Sequence, residues 1–116
     1  IHDIGKNIVV LMLKNHGFRV LDLGKDVPVE TILETIRTEN PDVVGLSALM
    51  TTTMVSMKTT IEQARSADLT CPFLIGGAVV TRSYADSIGA AYARDGVEAV
   101  RVVEQLIGSA GGELSK

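Results

Sequence analysis

Short apolar runs of strand length alternate with segments of helical periodicity along this chain. The runs are apolar on both faces, a pattern typical of parallel strands that helices cover on each side. Glycine, proline and other turn residues separate the segments, and such short connections favour right-handed crossovers. The sequence therefore predicts an α/β fold built on a doubly wound, mainly parallel sheet.

The same patterns predict the bounds and the inward faces of the elements. In chain order we expect a helix from Ile4 to His16-Gly17, a strand over Phe18–Leu23, a helix opened by Pro28, a strand over Asp42–Ser47, a helix with N-cap hydroxyls from Thr51–Thr53, a strand over Pro72–Ile75, a helix over Thr81–Ile88, a short strand over Ala90–Tyr92 and a last helix capped by Asp95. The apolar positions expected to face the core are Ile4, Ile8, Leu11, Met12, Val29, Ile32, Leu33, Ile36, Met54, Met57, Ile61, Ala64, Ala99, Val102, Val103 and Leu106. A small polar tail is expected from Gly108.

The 116 residues fit one domain, which we assign to residues 1–110, with a polar tail over 111–116. The given sequence begins at Ile1 with a loop and a helix. A five-stranded sheet of this class begins with a strand, and that strand lies at the centre of the sheet. We therefore expect that strand, and a longer parent chain, to lie upstream.

Charge, hydropathy and cysteine content narrow the possible partners. A formal net charge of −3 provides no basic field for nucleic acid. The longest aliphatic run, Ile8–Leu13, has six residues, too few to span a membrane. The single cysteine, Cys71, is compatible with a reducing cytosol. We expect a cytoplasmic chain that binds neither nucleic acid nor membrane.

Ligands of open parallel sheets bind at the carboxyl ends of the strands. The predicted ends at that edge are Gly24–Asp26, Ser47–Thr51, Gly76–Ala78 and Ala93–Asp95, with His2–Gly5 beside them if a strand precedes Ile1. The small and hydroxyl side chains there leave room for a bulky group close to the backbone. The sequence matches no motif for a nucleophilic triad, a metal cluster, a dinucleotide fingerprint or a phosphate-binding loop.

Three short motifs at this edge resemble a known signature. His2-Asp3-Ile4-Gly5, Ser47-Ala48-Leu49 and Gly76-Gly77 are similar to the D-x-H-x-x-G, S-x-L and G-G motifs of cobalamin-binding domains. The separations also agree, with 41 residues between Gly5 and Ser47 and 26 between Leu49 and Gly76. The chain resembles the corrinoid proteins of methyltransferase systems and the cobalamin domain of methionine synthase, with a flavodoxin-like or Rossmann-like fold.

The resemblance implies a cofactor, cobalamin or a related cobamide, and a role for each matching residue. His2 would be the lower axial ligand of cobalt, in place of the base at the end of the cofactor's tail. The other residues implied in cofactor binding are Asp3, Gly5, Ser47, Leu49, Thr51, Gly76, Gly77, Ala78, Tyr92 and Ala93. Of these, Ser47 and Thr51 would offer hydroxyls, Leu49 an apolar wall, and the glycines bare backbone beside the tail. The family's aspartate, two residues before the histidine, falls before Ile1, and Asp3 does not replace it.

The function that the resemblance implies is a corrinoid carrier. It would shuttle a methyl group from a methyl-donor-specific methyltransferase to a methyl-accepting one, with a reductive activator as a further partner. Alone it would be non-catalytic, a cofactor-carrying component of a methyltransferase system. Met50-Thr51-Thr52-Thr53 resembles the methyltransferase group more than its first alternative, the cobalamin domain of an adenosylcobalamin mutase. Two further alternatives are a cobalamin-based sensor and a cofactor-free interaction module.

The same residues also fit plain structural roles. Ser47 at a strand end and Thr51–Thr53 at a helix start are common capping positions. Gly76-Gly77 fits an ordinary strand-to-helix turn, and Met54 with Met57 fits a core stripe. Cys71 fits a small hydrophobic position at the start of a strand.

Overall fold

Helices and strands alternate along the chain in the order that the sequence predicts. A computed structural model describes residues 4–23 and 27–114, and the side chains of residues 6–23 and 27–107. The elements in these ranges are α1 (Ile4–Asn15), α2 (Val29–Glu39), β1 (Val44–Ser47), α3 (Thr51–Ser66), β2 (Phe73–Gly76), α4 (Arg82–Ile88), β3 (Ala91–Tyr92) and α5 (Gly96–Leu114). No helix in them is long and apolar enough to cross a bilayer.

The strands form one parallel sheet in the order β1-β2-β3. Val44 lies opposite Phe73 and Ser47 opposite Gly76, so β1 and β2 end level with each other. Ile75 lies opposite Tyr92 on the other side of β2. The carboxyl ends of all three described strands therefore meet at one edge.

Alternating side chains of β2 divide the core between the two faces of the sheet. Phe73 and Ile75, both almost fully buried, face the side covered by α2, α3 and α4. Leu74 faces the other side, where it packs with Ala99 and Val103 of α5 and with residues of α1. This arrangement confirms the doubly wound α/β fold predicted from the sequence.

The inward face of α1 matches the predicted one only in part. The prediction is confirmed for Met12, which faces α5, because a Cβ added at Gly96 would lie 2.5 Å from its sulfur. Leu11 is exposed, and Ile8 is half exposed although its Cγ2 would lie 3.6 Å from the same Cβ. Val9 and Leu13, which were not predicted, pack into the cluster beneath α5. Apolar spacing alone did not identify this face, since α1 carries apolar residues on most of its circumference.

The predicted strand over Phe18–Leu23 is wrong, because this segment is assigned to no strand. It pairs with none of the described strands, and the outer edge of β1 likewise has no neighbour among them. Phe18 packs beside α1 and α5, and Lys6 of α1 forms an ion pair with Asp22 at 2.9 Å. High β propensity does not make a strand where no partner accepts its hydrogen bonds.

The predicted Asp95 cap of the last helix is confirmed, whereas Thr81, predicted as the first residue of its helix, is a second cap. The Thr81 hydroxyl accepts a hydrogen bond from the Tyr84 amide at 3.1 Å, and the Asp95 carboxylate accepts one from the Glu98 amide at 2.9 Å. Both bonds satisfy amides that the first turn of a helix leaves unpaired.

Two predicted helix ends are wrong. The N-cap of α3 is Met50, which makes no side-chain capping bond, so Thr51–Thr53 form the first turn and do not cap it. The last helix continues past Gly108 to Leu114. The domain boundary at residue 110 stays a prediction.

Candidate functional site

Main-chain hydrogen bonds join the ends of the three strands. The Ala48 amide donates to the Gly76 carbonyl at 3.0 Å, and the Ala93 amide donates to the Ile75 carbonyl at 3.1 Å. Both bonds continue the ladders one residue beyond β1 and β3. They bring three of the predicted strand ends, Ser47–Thr51, Gly76–Ala78 and Ala93–Asp95, to a single edge of the sheet.

The Gly76-Gly77 pair is needed for this close approach. A Cβ on Gly76 would lie 2.8 Å from the Ala93 carbonyl oxygen, and a Cβ on Gly77 would lie 2.1 Å from the Ala48 carbonyl oxygen. Gly77 also has a φ of +121°, a conformation that side chains disfavour. The space that the two glycines leave is thus filled by neighbouring main chain, and their role in ligand binding stays a prediction.

Leu49 and Met50 place exposed apolar surface on the connection after β1. Their exposed fractions are 38% for Leu49 and 54% for Met50, although Ala48, just before them in the chain, is buried. Gly77 and Ala78 on the neighbouring connection are exposed as well. Together these residues form a surface that is apolar, low in steric bulk and open at the carboxyl edge.

The predicted hydroxyl groups remain available for a ligand. The side chains of Ser47 and Tyr92 are partly buried, and neither hydroxyl makes a hydrogen bond within the part of the chain that the structure describes. The buried Thr60 differs, because its hydroxyl donates to the Ser56 carbonyl one turn earlier. Thr51, exposed in the first turn of α3, carries a further hydroxyl at this edge.

Charged side chains fix the β3 end of the edge. Glu98 in α5, with 14% of its side chain exposed, accepts a hydrogen bond from the Arg94 amide at 2.7 Å. The same carboxylate pairs with Arg101 at 3.4 Å and approaches Arg82 at 4.0 Å. The guanidinium of Arg82 lies 5.4 Å from the centre of the Tyr92 ring. These contacts tie the starts of α4 and α5 to the end of β3.

Sequence reasoning missed Glu98 and also Tyr84, whose hydroxyl donates to the Met54 carbonyl across the two helices. Partners in such contacts come from different elements, and Tyr84 and Met54 are 30 positions apart. No local pattern in the sequence signals them. Local patterns identify turns and caps, which depend on neighbours within a few residues.

Part of the predicted site lies outside the described residues. This applies to His2, Asp3 and the Gly24–Asp26 segment. Gly5 is in the first turn of α1. The other histidine, His16, is exposed, and its Nδ1 lies 2.9 Å from the Met12 carbonyl oxygen, so it takes part in local helix-end bonding.

A concavity lies at the opposite, amino edge of the sheet. It has a volume of about 460 Å³ and is lined mainly by the turns that precede β1 and β2, including Asn40, Asp42, Asp68 and Cys71. Burial raises the pKa of the Cys71 thiol, and the positive charge of Arg65 opposes that shift. None of the motif residues belongs to this concavity, so we place the functional site at the carboxyl edge.

Comparison with known proteins gives a family for this arrangement. The B12 binding domain family matches residues 1–104. A dimethylamine corrinoid protein of Methanosarcina barkeri is 43% identical over 110 residues, which cover 92% of this chain and 52% of that protein. The chain thus spans about half the length of the curated relatives it matches.

Solved structures agree with the sequence comparison. A cobalamin-binding protein from Desulfitobacterium hafniense DCB-2 superimposes with a TM-score of 0.88 at 34% identity, covering 92% of this chain and 54% of that one. The methanol:cobalamin methyltransferase complex MtaBC of Methanosarcina barkeri contains a chain that also superimposes with a TM-score of 0.88 at 34% identity. The match covers 92% of this chain and 42% of that one. The chain therefore belongs to the B12 binding domain family, and its cofactor is cobalamin or a related cobamide.

Proposed function

We propose that this chain is a corrinoid carrier domain that takes a methyl group from one methyltransferase and delivers it to another. The observation that carries the proposal is the meeting of Ser47–Leu49 with Gly76–Ala78 at the carboxyl edge of the sheet. Two motifs that are distant in the sequence form one surface there, at the edge where parallel sheets bind their ligands.

The names of similar proteins support methyl transfer. One relative is a dimethylamine corrinoid protein, and one structural neighbour is part of a methanol:cobalamin methyltransferase complex. Those names concern proteins about twice as long as this chain. We accordingly propose a methyl-donor-specific methyltransferase and a methyl-accepting one as partners, with a reductive activator as the third. We also propose a cytoplasmic location, which the single unpaired cysteine supports.

The described residues fit a cobamide in their shape and chemistry. A corrin ring carries methyl groups beside its amide side chains, and exposed Leu49 and Met50 offer apolar surface to those methyl groups and to the ring. The exposed Gly77 and Ala78 let a bulky group approach the backbone of the neighbouring connection. Free hydroxyls on Ser47 and Tyr92 can donate hydrogen bonds to oxygen and nitrogen atoms of the tail.

Each residue has a separate task in the proposed mechanism. A bound cobamide supplies a cobalt centre that accepts and releases a methyl group. His2, which lies outside the described residues, would supply a neutral imidazole nitrogen to the cobalt in place of the tail base. Ser47 and Thr51 would hold the displaced base and its linker, while Leu49 would exclude water. The methyltransferases would reach the cobalt from the side that these residues leave uncovered.

Reconstitution with hydroxocobalamin tests the cofactor part of the proposal. The purified chain should stay red through desalting, and its visible spectrum should show that the tail base has left the cobalt. His2→Ala should retain some cobamide through the tail contacts but change the axial-ligand bands. An unchanged spectrum in that variant would exclude His2 as the ligand.

Methyl transfer needs a separate test. The cobamide-loaded, reduced chain is incubated with an isotope-labelled methylamine or methanol, with and without a matching methyltransferase. Label should reach the chain only when the methyltransferase is present. Label that never reaches the chain with any of these donors would contradict a carrier of simple one-carbon groups.

A further inference from the structure

A hydrogen bond between two helices links the two connections of the site. The hydroxyl of Tyr84 in α4 donates to the carbonyl oxygen of Met54 in the first turns of α3 at 2.5 Å. Helix α3 follows β1, which ends at Ser47, and the connection that carries Leu49. Helix α4 follows β2, which ends at Gly76, and the connection that carries Gly77 and Ala78. The bond thus bridges the elements on either side of the candidate binding surface.

Helix α3 has no side-chain cap that would fix its start. Its N-cap, Met50, is apolar, and the first turn contains no acidic residue. The amides of a first turn need partners outside the helix, and an uncapped start is free to fray. The direction of this turn, and with it the position of Thr51, therefore depends on contacts with the rest of the fold.

Tyr84 is itself held firmly enough to provide such a contact. Its amide donates to the Thr81 hydroxyl at 3.1 Å, which anchors it in the first turn of α4. Its ring packs against the buried cluster that includes Ala48, Met57 and Ile75. The hydroxyl therefore projects from a rigid position on the neighbouring helix.

We propose that Tyr84 is a positioning residue for cobamide retention. By holding the Met54 carbonyl, it sets the distance between the start of α3 and the Gly76–Ala78 connection, and so the width of the space in which the tail lies. This inference rests on the proposed cobamide-binding function and adds to it a residue outside the three sequence motifs. Tyr84 touches the helix that carries Thr51, and no contact with the cobamide is assigned to it.

Tyr84→Phe tests the inference, because it keeps the packed ring and removes only the hydroxyl. The matched control is Ser87→Ala, which removes another hydroxyl of α4 whose hydrogen bond, to the Tyr84 carbonyl, stays within that helix. Each protein is loaded with hydroxocobalamin, and the release of cobamide is followed by its absorbance after dilution. Melting of the cobamide-free proteins and amide exchange of residues 51–54 are measured in parallel.

We expect Tyr84→Phe to release cobamide about three to ten times faster than the wild type, the change that one lost hydrogen bond gives. Exchange at residues 51–54 should accelerate, while the melting temperature falls by no more than about 8 °C, the shift that one lost hydrogen bond gives. Ser87→Ala should release cobamide as the wild type does. If wild type and Tyr84→Phe release cobamide at the same rate, the positioning role is overturned and the carrier proposal stands. A large fall in melting temperature would make Tyr84 a residue of the fold and also overturn it. If the wild type retains no cobamide, both proposals fail together.

Discussion

Gly77 lies against Ala48 so closely that a Cβ on Gly77 would be 2.1 Å from the Ala48 carbonyl oxygen and 2.7 Å from its amide nitrogen. Atoms of the main chain cannot swing aside as a flexible side chain can. The second and third sequence motifs of the site are therefore in direct main-chain contact.

Gly77→Ala should destabilise the fold strongly, since it adds this clash to a φ of +121°. We expect a loss of about 3 kcal/mol in the free energy of unfolding, measured by urea denaturation. Gly45→Ala is the control, because a Cβ there meets nothing within 4 Å. Its effect should stay within about 1 kcal/mol. Equal stability of the two variants would contradict the packing described for Gly77.

Leu49→Ser should weaken cobamide binding without a large change in stability, because the side chain is already 38% exposed. Loss of most of its contact with the ligand corresponds to roughly a tenfold increase in the dissociation constant. Val55→Ser, an exposed apolar residue in α3 outside the motifs, is the matched control and should bind as the wild type does. Titration of both variants with hydroxocobalamin measures the difference, and equal affinities would remove Leu49 from the site.

Glu98→Ala should destabilise α5 by about 1–2 kcal/mol, because the Arg94 amide loses its acceptor and two arginines lose a nearby carboxylate. Glu104→Ala changes an exposed residue of the same helix that has no ion pair in the described part of the chain, so it should change stability little. Thermal unfolding at low and high salt compares them. The Glu98 deficit should shrink only partly in salt, since the bond to the amide persists.

Cys71 should react slowly with an alkylating reagent at pH 8. Only the thiolate reacts, and burial raises the pKa of this thiol, so less of it is ionised in the folded chain than in the unfolded chain. The same shift predicts that stability is retained at neutral pH and falls as the pH rises through the titration range of an ordinary thiol, where the unfolded chain loses its proton first. Alkylation rates with and without urea provide the measurement, and equal rates would refute the shift.

Amide exchange should be faster at the outer edge of β1 than in the central strand β2. The Val44 and Ala48 amides donate to β2, so the alternating amides of Gly45 and Ser47 point to the outer edge of β1, which has no neighbour in the described ranges. We expect fast exchange at Gly45, Ser47 and residues 18–23, and slow exchange at Leu74 and Ile75. Strong protection of residues 18–23 would show that this segment has a partner.

Local sequence patterns predict the parts of this protein that depend on neighbouring residues. The cap at Asp95, the turn at Gly76-Gly77 and the alternation of elements all rest on interactions within a few positions. Phe18–Leu23 has the composition of a strand, yet a strand also needs a neighbour, which composition does not supply. The hydroxyls of Thr51–Thr53 predict N-caps for α3, but these threonines lie inside the helix, in its first turn.

The site was predicted to the level of motifs and not to the level of contacts. The motifs predicted the cofactor, and the second and third of them meet at the carboxyl edge of the sheet. The contacts of Gly77 with Ala48 and of Tyr84 with Met54 depend on how the sheet brings distant segments together. Such pairs follow from tertiary packing, which a single sequence does not reveal.

The strand ends meet in a seam, the contacts between residues 48, 76, 77 and 93, that consists almost wholly of main-chain atoms. Its geometry is set by Ala48, Gly76, Gly77 and Ala93, whose side chains are minimal or absent. The outward residues beside them, such as Leu49, Met50 and Ala78, can then be exchanged without shifting the seam. A library randomised at those outward positions, with the four seam residues held constant, should yield folded domains that differ in the cobamide they prefer.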